Sequence, residues 1–471
     1  MSDPPLSGFQ AMAREGRIGV SMSPKSIRHG WKGIWLLFAV AGLVAAAPVE
    51  GIDLLGVYDL ATQDDPELRR AQQEHLASSE ILRQAWAEFS PTLTLDAESG
   101  GTRQNIRSFD NPLYAAGASF FSTNRLTLTL NLPLYRHTSV VNLRQARAAT
   151  RQADFAFESA KQELLIRVAT LYFGALAAEA IYDFAESERL SLQSHFEMTE
   201  LQRRKGLASI TDLHEARARL SAVEALVIEA EDVWDDALQA LRSLNPRIPS
   251  GLSVLKDDLA LIPPVPDDVE LWKASALEGN LTFRTQAQVV EVARQEVYRL
   301  RAARLPVLDF LARGDRERNG GTLFGGGSDI ETANLLVRLS VPLYQGGMTS
   351  SRTREATYKY RAALEGFEGL RREVVRAVRS AFYGVKRAIS RSKALKQAVD
   401  SQTLALKARQ EGYRSGSFSI VDVLDAERDL FEVRRDHARA RYDYILESLR
   451  LRLIVGTLSE DDLMMINAWL E

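Results

Sequence analysis

Residues 125–135 read RLTLTLNLPLY, and residues 334–344 read NLLVRLSVPLY. In the first stretch, leucine occupies every second position from Leu126 to Leu134. Such alternation places one face of a strand in an apolar medium and the other in water. Both stretches are about ten residues long, close to the length of a tilted transmembrane strand. A strand of a soluble β-sandwich shows the same alternation, so the pattern alone leaves both environments open.

A second alternating segment precedes each of these strands, at residues 92–98 and 308–312. The connections within the two pairs, residues 100–124 and 314–332, are long and rich in Gly, Asn and Ser. Long loops of this kind are typical of the outer side of bacterial barrels. We therefore expect each chain to contribute four strands, with one helix ahead of each strand pair.

The chain repeats itself at an offset of 210 residues. The residues that recur are Gly206, Ile210, Asp212, Ala216 and Leu220, which reappear as Gly416, Ile420, Asp422, Ala426 and Leu430. Self-similarity at a fixed offset indicates repeated structural units. We expect two structural repeats, at residues 53–245 and 268–456, joined by a Pro-rich linker at 246–267 and followed by a C-terminal segment at 457–471.

The remainder of each repeat predicts helices of unusual length. Residues 136–204 contain no proline and few glycines, and a helix of that length extends roughly 100 Å. After Gly206, and again after Gly416, a second apolar seam follows steps of three and four residues, as in a coiled coil. Glycine permits the positive φ that ends a helix and turns the chain. Each repeat therefore predicts a long helical hairpin, with apolar residues in thin seams and no compact core.

The N-terminus predicts a secretory signal peptide over residues 1–46. An apolar run at 34–44 follows Lys25, Arg28 and Lys32 and precedes three alanines, which is the signal-peptide arrangement. A buried core helix is the alternative. No other apolar run is expected to approach about 18 residues, so no α-helix is expected to span a membrane.

Composition argues against several functions. The chain has no cysteine, which excludes disulfides, thiolate metal sites and a lipid-anchored N-terminal Cys. Its net charge of −3 gives no reason to expect nucleic acid binding. None of the six histidines lie three or four residues apart, and no nucleophile or phosphate-loop motif is present. We expect no catalytic residue, no cofactor and no metal site.

Geometry limits how the four strands can meet a membrane. An unpaired backbone group in hydrocarbon costs several kcal/mol, and single-chain barrels begin at eight strands. If these strands face lipid, several chains must pool them. Three chains would supply twelve strands, and the same symmetry would gather twelve long helices.

The hairpin turns carry the remaining polar constellation. Asp422 and Asp425 lie three residues apart near the start of a helix. Acidic residues there interact favourably with the helix dipole. In a threefold assembly they would instead place six carboxylates at one constriction, a filter that favours cations.

At these residues the sequence resembles the TolC family of outer-membrane channel-tunnel exit ducts. The matching segments are VPLYQGG at 341–347, the stretch from Gly416 to Ala426, ARYDY at 440–444 and GTLSEDDL at 456–463. The resemblance implies an α+β trimer in which a twelve-strand outer-membrane β-barrel continues into a long periplasmic α-helical coiled-coil barrel. It also implies three kinds of partner: a periplasmic adaptor (membrane fusion) protein, an inner-membrane transporter of the RND or ABC type, and outer-membrane lipid.

The resemblance also assigns residues to the periplasmic tip. It places Asp422 and Asp425 around the aperture and Asp212 and Tyr413 among the contacts that hold the tip closed. Two further gate positions are Thr211 and Phe418. The hairpin turns, with their adaptor contacts, are Gly206, Gly416, Ser209 and Ser419. Phe418 stands where the best-known members carry a basic residue, so the closing link must be weaker or made differently.

These observations favour an outer-membrane exit duct of a tripartite efflux pump or a type I secretion system in a Gram-negative bacterium. The duct would conduct its substrates passively from the periplasm or the transporter to the exterior. A periplasmic structural coiled-coil or adaptor protein with soluble β elements is the alternative.

Overall fold

The computed structural model describes residues 51–108, 117–256, 259–321 and 326–471. The predicted signal peptide, residues 1–46, lies outside the described residues. The first half contains α1 (Leu54–Asp64), α2 (Pro66–Ala87), β1 (Thr92–Ile106), β2 (Gly117–Arg136), α3 (His137–Arg204) and α4 (Ile210–Arg242). The second half contains α5 (Val269–Gly279), α6 (Leu281–Ala302), β3 (Val307–Asn319), β4 (Ser328–Ser340), α7 (Met348–Arg414), α8 (Ile420–Val455) and α9 (Glu460–Asn467). The same order of two helices, two strands and two longer helices occurs twice, as expected for two structural repeats.

Two helices, rather than the single one expected, precede each strand pair. In the first half Asp65 accepts a hydrogen bond from the backbone N–H of Leu68, and Pro66 occupies the first helical position. In the second half Asn280 caps α6 by accepting from the N–H of Phe283 at 2.7 Å. These short polar side chains favour a new helix start over continuation. The expectation of one helix is wrong because these caps interrupt it.

The four strands form one antiparallel sheet in the order β1-β2-β3-β4. The central pairing, β2 with β3, joins the two halves of the chain, and Leu126 faces Arg316 within it. The strands extend further than predicted, because residues 99–106 and 117–124 are paired strand instead of loop. Alternation fails there because both faces of the strand ends carry polar residues.

α3 and α7 have 68 and 67 residues and therefore extend roughly 100 Å each. Each packs against the next helix in sequence, α4 or α8, to form the predicted helical hairpin. Among the described residues, one 18-residue window within α3 is apolar enough to cross a membrane, with a mean hydropathy of 1.7. The expectation that no such run exists is wrong. Half of this window is buried within the chain, which identifies it as a core segment.

A compact hydrophobic core surrounds that segment of α3, contrary to the expectation of thin seams alone. Its members include Leu164, Val168, Tyr172 and Phe173 of α3, all at most 1% exposed. α1, α8, α9 and the segment predicted to be a linker also contribute, for example through Leu54, Ile445, Leu463 and Ile248. Sequence periodicity missed this core because short, irregular segments supply much of it.

Candidate functional site at the helical hairpin tips

The two hairpin turns have nearly the same backbone geometry. Gly206 and Gly416 have φ values of +75° and +78°, which confirms the predicted left-handed conformation. In the first turn the N–H of Leu207 donates to the carbonyl of Gln202 at 2.9 Å, and in the second Ser417 donates to Gly412 at 2.7 Å. These bonds satisfy carbonyls that the helix end leaves unpaired.

A capping box starts the second helix of each hairpin. The carboxylate of Asp212 accepts from the N–H of Ser209 at 3.0 Å, and that of Asp422 accepts from the N–H of Ser419 at 2.8 Å. The two serine hydroxyls accept from the aspartate N–H groups in return. Hydrogen bonds from the serines hold the pKa of both aspartates below the ordinary range. Both remain anionic at neutral pH, and each carboxylate caps the start of the helix that follows its own turn.

The aromatic residues of the second turn lie at its surface. Phe418 is 46% exposed, and its ring packs against Gly412, where an added Cβ would lie 2.9 Å from the ring carbon Cε2. The equivalent position in the first turn is Ala208. Tyr413 and Thr211 are also exposed. Phe418 therefore packs within its own turn.

Asp425 provides one link between the hairpins. Its Oδ1 accepts a hydrogen bond from Nη1 of Arg219 on α4 at 2.8 Å. Arg219 also bonds Glu215, one turn earlier on α4. The equivalent of Arg219 in the second repeat is Asp429, of opposite charge. Sequence reasoning missed Arg219, although this inversion between the repeats marks the position.

Glu427 provides a second, more buried link. Its carboxylate is 12% exposed and accepts a hydrogen bond from the hydroxyl of Ser191 on α3 at 2.7 Å. His195 of α3 lies 3.4 Å away, and Gln410 of α7 donates at 3.5 Å. Burial alone would raise the pKa of Glu427, but hydrogen bonds from His195 and Ser191 outweigh it and the pKa is lowered. The cluster joins α8 to the first hairpin.

An apolar cluster lies next to these polar links. Leu192 of α3, Val223 of α4 and Leu424 of α8 are each at most 9% exposed and pack together. The side-chain contacts of Asp425 and Glu427 therefore lie beside an apolar contact between the hairpins. A polar link at the edge of such a contact is partly shielded from water, which strengthens its electrostatic part.

The described residues contain no group of three His, Asp or Glu side chains that could hold a metal ion. What the tip arranges is charge: two capped carboxylates, an arginine-bridged carboxylate and a buried carboxylate with three polar partners. This arrangement holds helices together and sets a local potential.

The sequence of the chain is similar to proteins of one family. The family model described as outer membrane efflux protein matches residues 57–245 and 272–457. The chain is 31% identical over 446 residues to the outer membrane protein TolC of Vibrio cholerae, covering 92% of this chain and 98% of that protein. It is 29% identical over 440 residues to the alkaline protease secretion protein AprF of Pseudomonas aeruginosa, covering 92% and 90%.

The fold is similar to that of solved outer-membrane channels. The crystal structure of the CmeC outer membrane channel of Campylobacter jejuni superimposes with a TM-score of 0.75. The match covers 89% of this chain and 90% of that one at 16% sequence identity. At this identity the likeness establishes the fold.

Proposed function

This chain belongs to the outer membrane efflux protein family, and we propose that three copies assemble into one duct. Family membership makes it an outer-membrane exit duct of efflux and type I secretion, and not an enzyme. In the proposed trimer, twelve strands form a barrel in the outer membrane. The twelve long helices α3, α4, α7 and α8 of the three chains form its periplasmic continuation.

The sheet carries this proposal. Its apolar face is open to solvent in the single chain, where Leu93, Leu335 and Leu339 are 65%, 76% and 65% exposed. β1 and β4 are the outermost strands and each pairs with one neighbour. Backbone groups cannot remain unpaired in hydrocarbon, so both edges need partners from other chains. Three four-stranded sheets give twelve strands, an even number within the range of closed barrels.

The hairpin tips are proposed as the contact with a periplasmic adaptor protein, which in turn joins an inner-membrane transporter of the RND or ABC type. Leu207 and Ile210 flank Ser209 and are 76% and 54% exposed. Exposed apolar side chains rimmed by polar ones mark interaction sites. The serines of the capping boxes and the two turn glycines are also exposed.

The tip is also proposed as the gate. The link between Arg219 and Asp425 and the Glu427 cluster bind the second hairpin to the first in this conformation. In the proposed gate these links hold the tip closed, where Phe418 stands in place of a basic residue. Opening requires α7 and α8 to separate from α3 and α4, and hence requires these links to break.

A cation filter is the first expected property of the gate. Asp422 and Asp425 place six carboxylates around a threefold aperture, although Arg219 partly compensates Asp425. We expect a trivalent cobalt hexammine ion, added on the helical side, to block single-channel current in planar bilayers. Asp422→Asn with Asp425→Asn is expected to abolish the block, because the carboxylate charge is gone.

Asp429→Asn, one turn further along α8, is the matched control. Removing the carboxylate of Asp429 leaves both aperture aspartates in place, so the block of the current should persist. Block that survives in the double variant, or disappears equally in the control, would contradict the filter.

Acid sensitivity is the second expected property. Because the pKa of Glu427 is lowered in the folded protein, its link stabilises the closed tip above the ordinary glutamate pKa of about 4.5. This contribution is lost as pH falls through the lowered value. Resting conductance should therefore rise in acid, below about pH 4.5. In Glu427→Gln the conductance should be higher at neutral pH and its acid-dependent rise smaller.

Glu432→Gln provides the comparison, since Glu432 lies on the same helix with its side chain 59% exposed. Its acid response should match that of the unmodified protein. An unchanged acid response in Glu427→Gln would show that another group controls the gate in acid.

A further inference from the structure

Charged residues occur on the lipid-facing side of the sheet. Directly paired residues of antiparallel strands project to the same face. Leu126 of β2 pairs with Arg316 of β3, and Arg316 pairs with Glu331 of β4. Leu126 belongs to the alternating apolar face, so Arg316 and Glu331 share that face and that level. The next row outward pairs Arg318 with Asp329.

This level lies at the extracellular boundary of the apolar band. The band runs along β2 from Leu126 to Leu134, about 27 Å along the strand. Tilted by roughly 40°, that segment spans about 21 Å, close to the apolar height of outer-membrane barrels. The periplasmic helices follow the opposite ends of β2 and β4. Arg316 and Arg318 therefore lie where the outer leaflet changes from hydrocarbon to headgroup.

The two guanidinium groups share one carboxylate. Arg316 donates to Asp329 at 3.2 Å through Nε and Nη2, and Arg318 donates to the same side chain at 2.7 Å. Their side chains remain 53% and 64% exposed. Nη1 of Arg316 also pairs with Glu331 at 3.3 Å. Each guanidinium has five N–H donors, more than these two carboxylates engage. Both can therefore accept a further anion, and phosphate suits their planar geometry.

An exposed aromatic ring lies further out on the same face. Phe120 is 75% exposed and lies against Gly101 of β1, where an added Cβ would be 2.6 Å from the ring carbon Cζ. It precedes Asn124, the partner of Arg318, by four residues, about 14 Å along the strand. A flat apolar ring beyond the hydrocarbon suits a sugar ring, which offers an apolar face between polar groups.

We propose that this face binds a phosphorylated glycolipid of the outer leaflet. Arg316 and Arg318 contact its phosphate, for which Asp329 competes, and Phe120 stacks on its sugar. A phospholipid offers the phosphate without the sugar, and free phosphate has neither the sugar nor the acyl chains that the apolar band would hold. The proposal requires only the outer-membrane location and goes beyond the gate.

The test measures lipid binding to the purified full chain in detergent by native mass spectrometry. The probes are diphosphorylated lipid A, dephosphorylated lipid A, phosphatidylglycerol and inorganic phosphate. We expect diphosphorylated lipid A to bind at least about tenfold more tightly than each of the others, or about 1.4 kcal/mol. Equal binding of phosphatidylglycerol or of dephosphorylated lipid A would overturn the proposal.

The variants separate binding from sheet stability. Arg316→Gln with Arg318→Gln should weaken lipid A binding at least about tenfold, whereas Arg313→Gln, on the opposite face of β3, should not. Asp329→Asn should strengthen it, because both guanidinium groups are released. If the cluster only stabilised the hairpin of β3 and β4, Asp329→Asn would destabilise that hairpin and weaken binding, as the arginine variants do. That result would contradict the proposal. Single-channel conductance should stay unchanged in the Arg316→Gln with Arg318→Gln variant and in Asp329→Asn, because these side chains face away from the lumen.

Discussion

Replacing Gly456 with alanine is expected to produce the largest loss of stability. Gly456 ends α8 with φ +82°, and a left-handed conformation costs a residue with a Cβ about 1–2 kcal/mol. The added Cβ would lie 2.7 Å from the carbonyl carbon of Gly279, which belongs to the end of α5. The atoms that the added Cβ meets belong to the backbone of Gly279 and Asn280, so no side-chain rotation relieves the clash.

The cost of forcing the two backbones apart adds about 1–3 kcal/mol to the conformational penalty. Asn280 also donates to the carbonyl of Ile454 at 2.7 Å across this junction, and this bond would be strained. The total of about 2–5 kcal/mol is comparable to much of the stability of a typical domain. A urea titration followed by tryptophan fluorescence should show the shift in midpoint.

Gly416→Ala isolates the conformational part of this loss. Gly416 has φ +78°, nearly that of Gly456, but no atom lies within 4 Å of its added Cβ in the single chain. Gly416→Ala should lower the free energy of unfolding by only about 1–2 kcal/mol, which is the cost of the left-handed conformation. Equal losses in the two variants would show that the contact with Gly279 relaxes without cost.

Replacing Arg219 with alanine is expected to have the largest effect on conductance. The change removes the link from α4 to Asp425 and leaves the capping boxes intact. Partly exposed ion pairs contribute about 0.2–1 kcal/mol. If the three protomers open together, the proposed trimer multiplies this by three. The combined loss of about 0.6–3 kcal/mol shifts the ratio of closed to open ducts by roughly threefold to a hundredfold.

The measurement is the resting conductance of the purified duct in planar bilayers, which should increase in Arg219→Ala. Arg414→Ala is the control, because Arg414 pairs with Glu411 within α7 at 2.8 Å and joins no second helix. Conductance that rises equally in both variants would mean that loss of positive charge, and not loss of the link, opens the tip.

Much of the fold could be predicted from local patterns. The alternation at 125–135 identified β2, and the long helices and their glycine turns followed from spacing alone. The strand ends could not be predicted, because Thr102, Arg103 and Gln104 are polar on both faces and lose the period of two. The compact core was also missed, since Ile248 and Leu252 come from a segment whose prolines conceal its buried positions.

The candidate site likewise has one part that the sequence predicts and one part that it does not. The capping boxes have a local signature, a serine three residues before Asp212 or Asp422, so their geometry can be predicted from the sequence. The partners of Asp425 and Glu427 on the first hairpin, Arg219 and Ser191, lie more than 200 residues away in sequence. Such pairs depend on how two hairpins pack, and no local pattern reports this. The gate residues remain a prediction that the variants above test.

The pairing of β2 with β3 has a consequence for biosynthesis. Thr127 and Asp315 bond directly across 188 residues of chain, so the central ladder cannot form until most of the polypeptide has left the cytoplasm. Loop-closure entropy makes such distant contacts slow to form. In the meantime the leucine-rich β2 is exposed and prone to aggregate. The supply of periplasmic chaperones that bind extended apolar strands should therefore limit the yield of the duct more than the folding of its helices does.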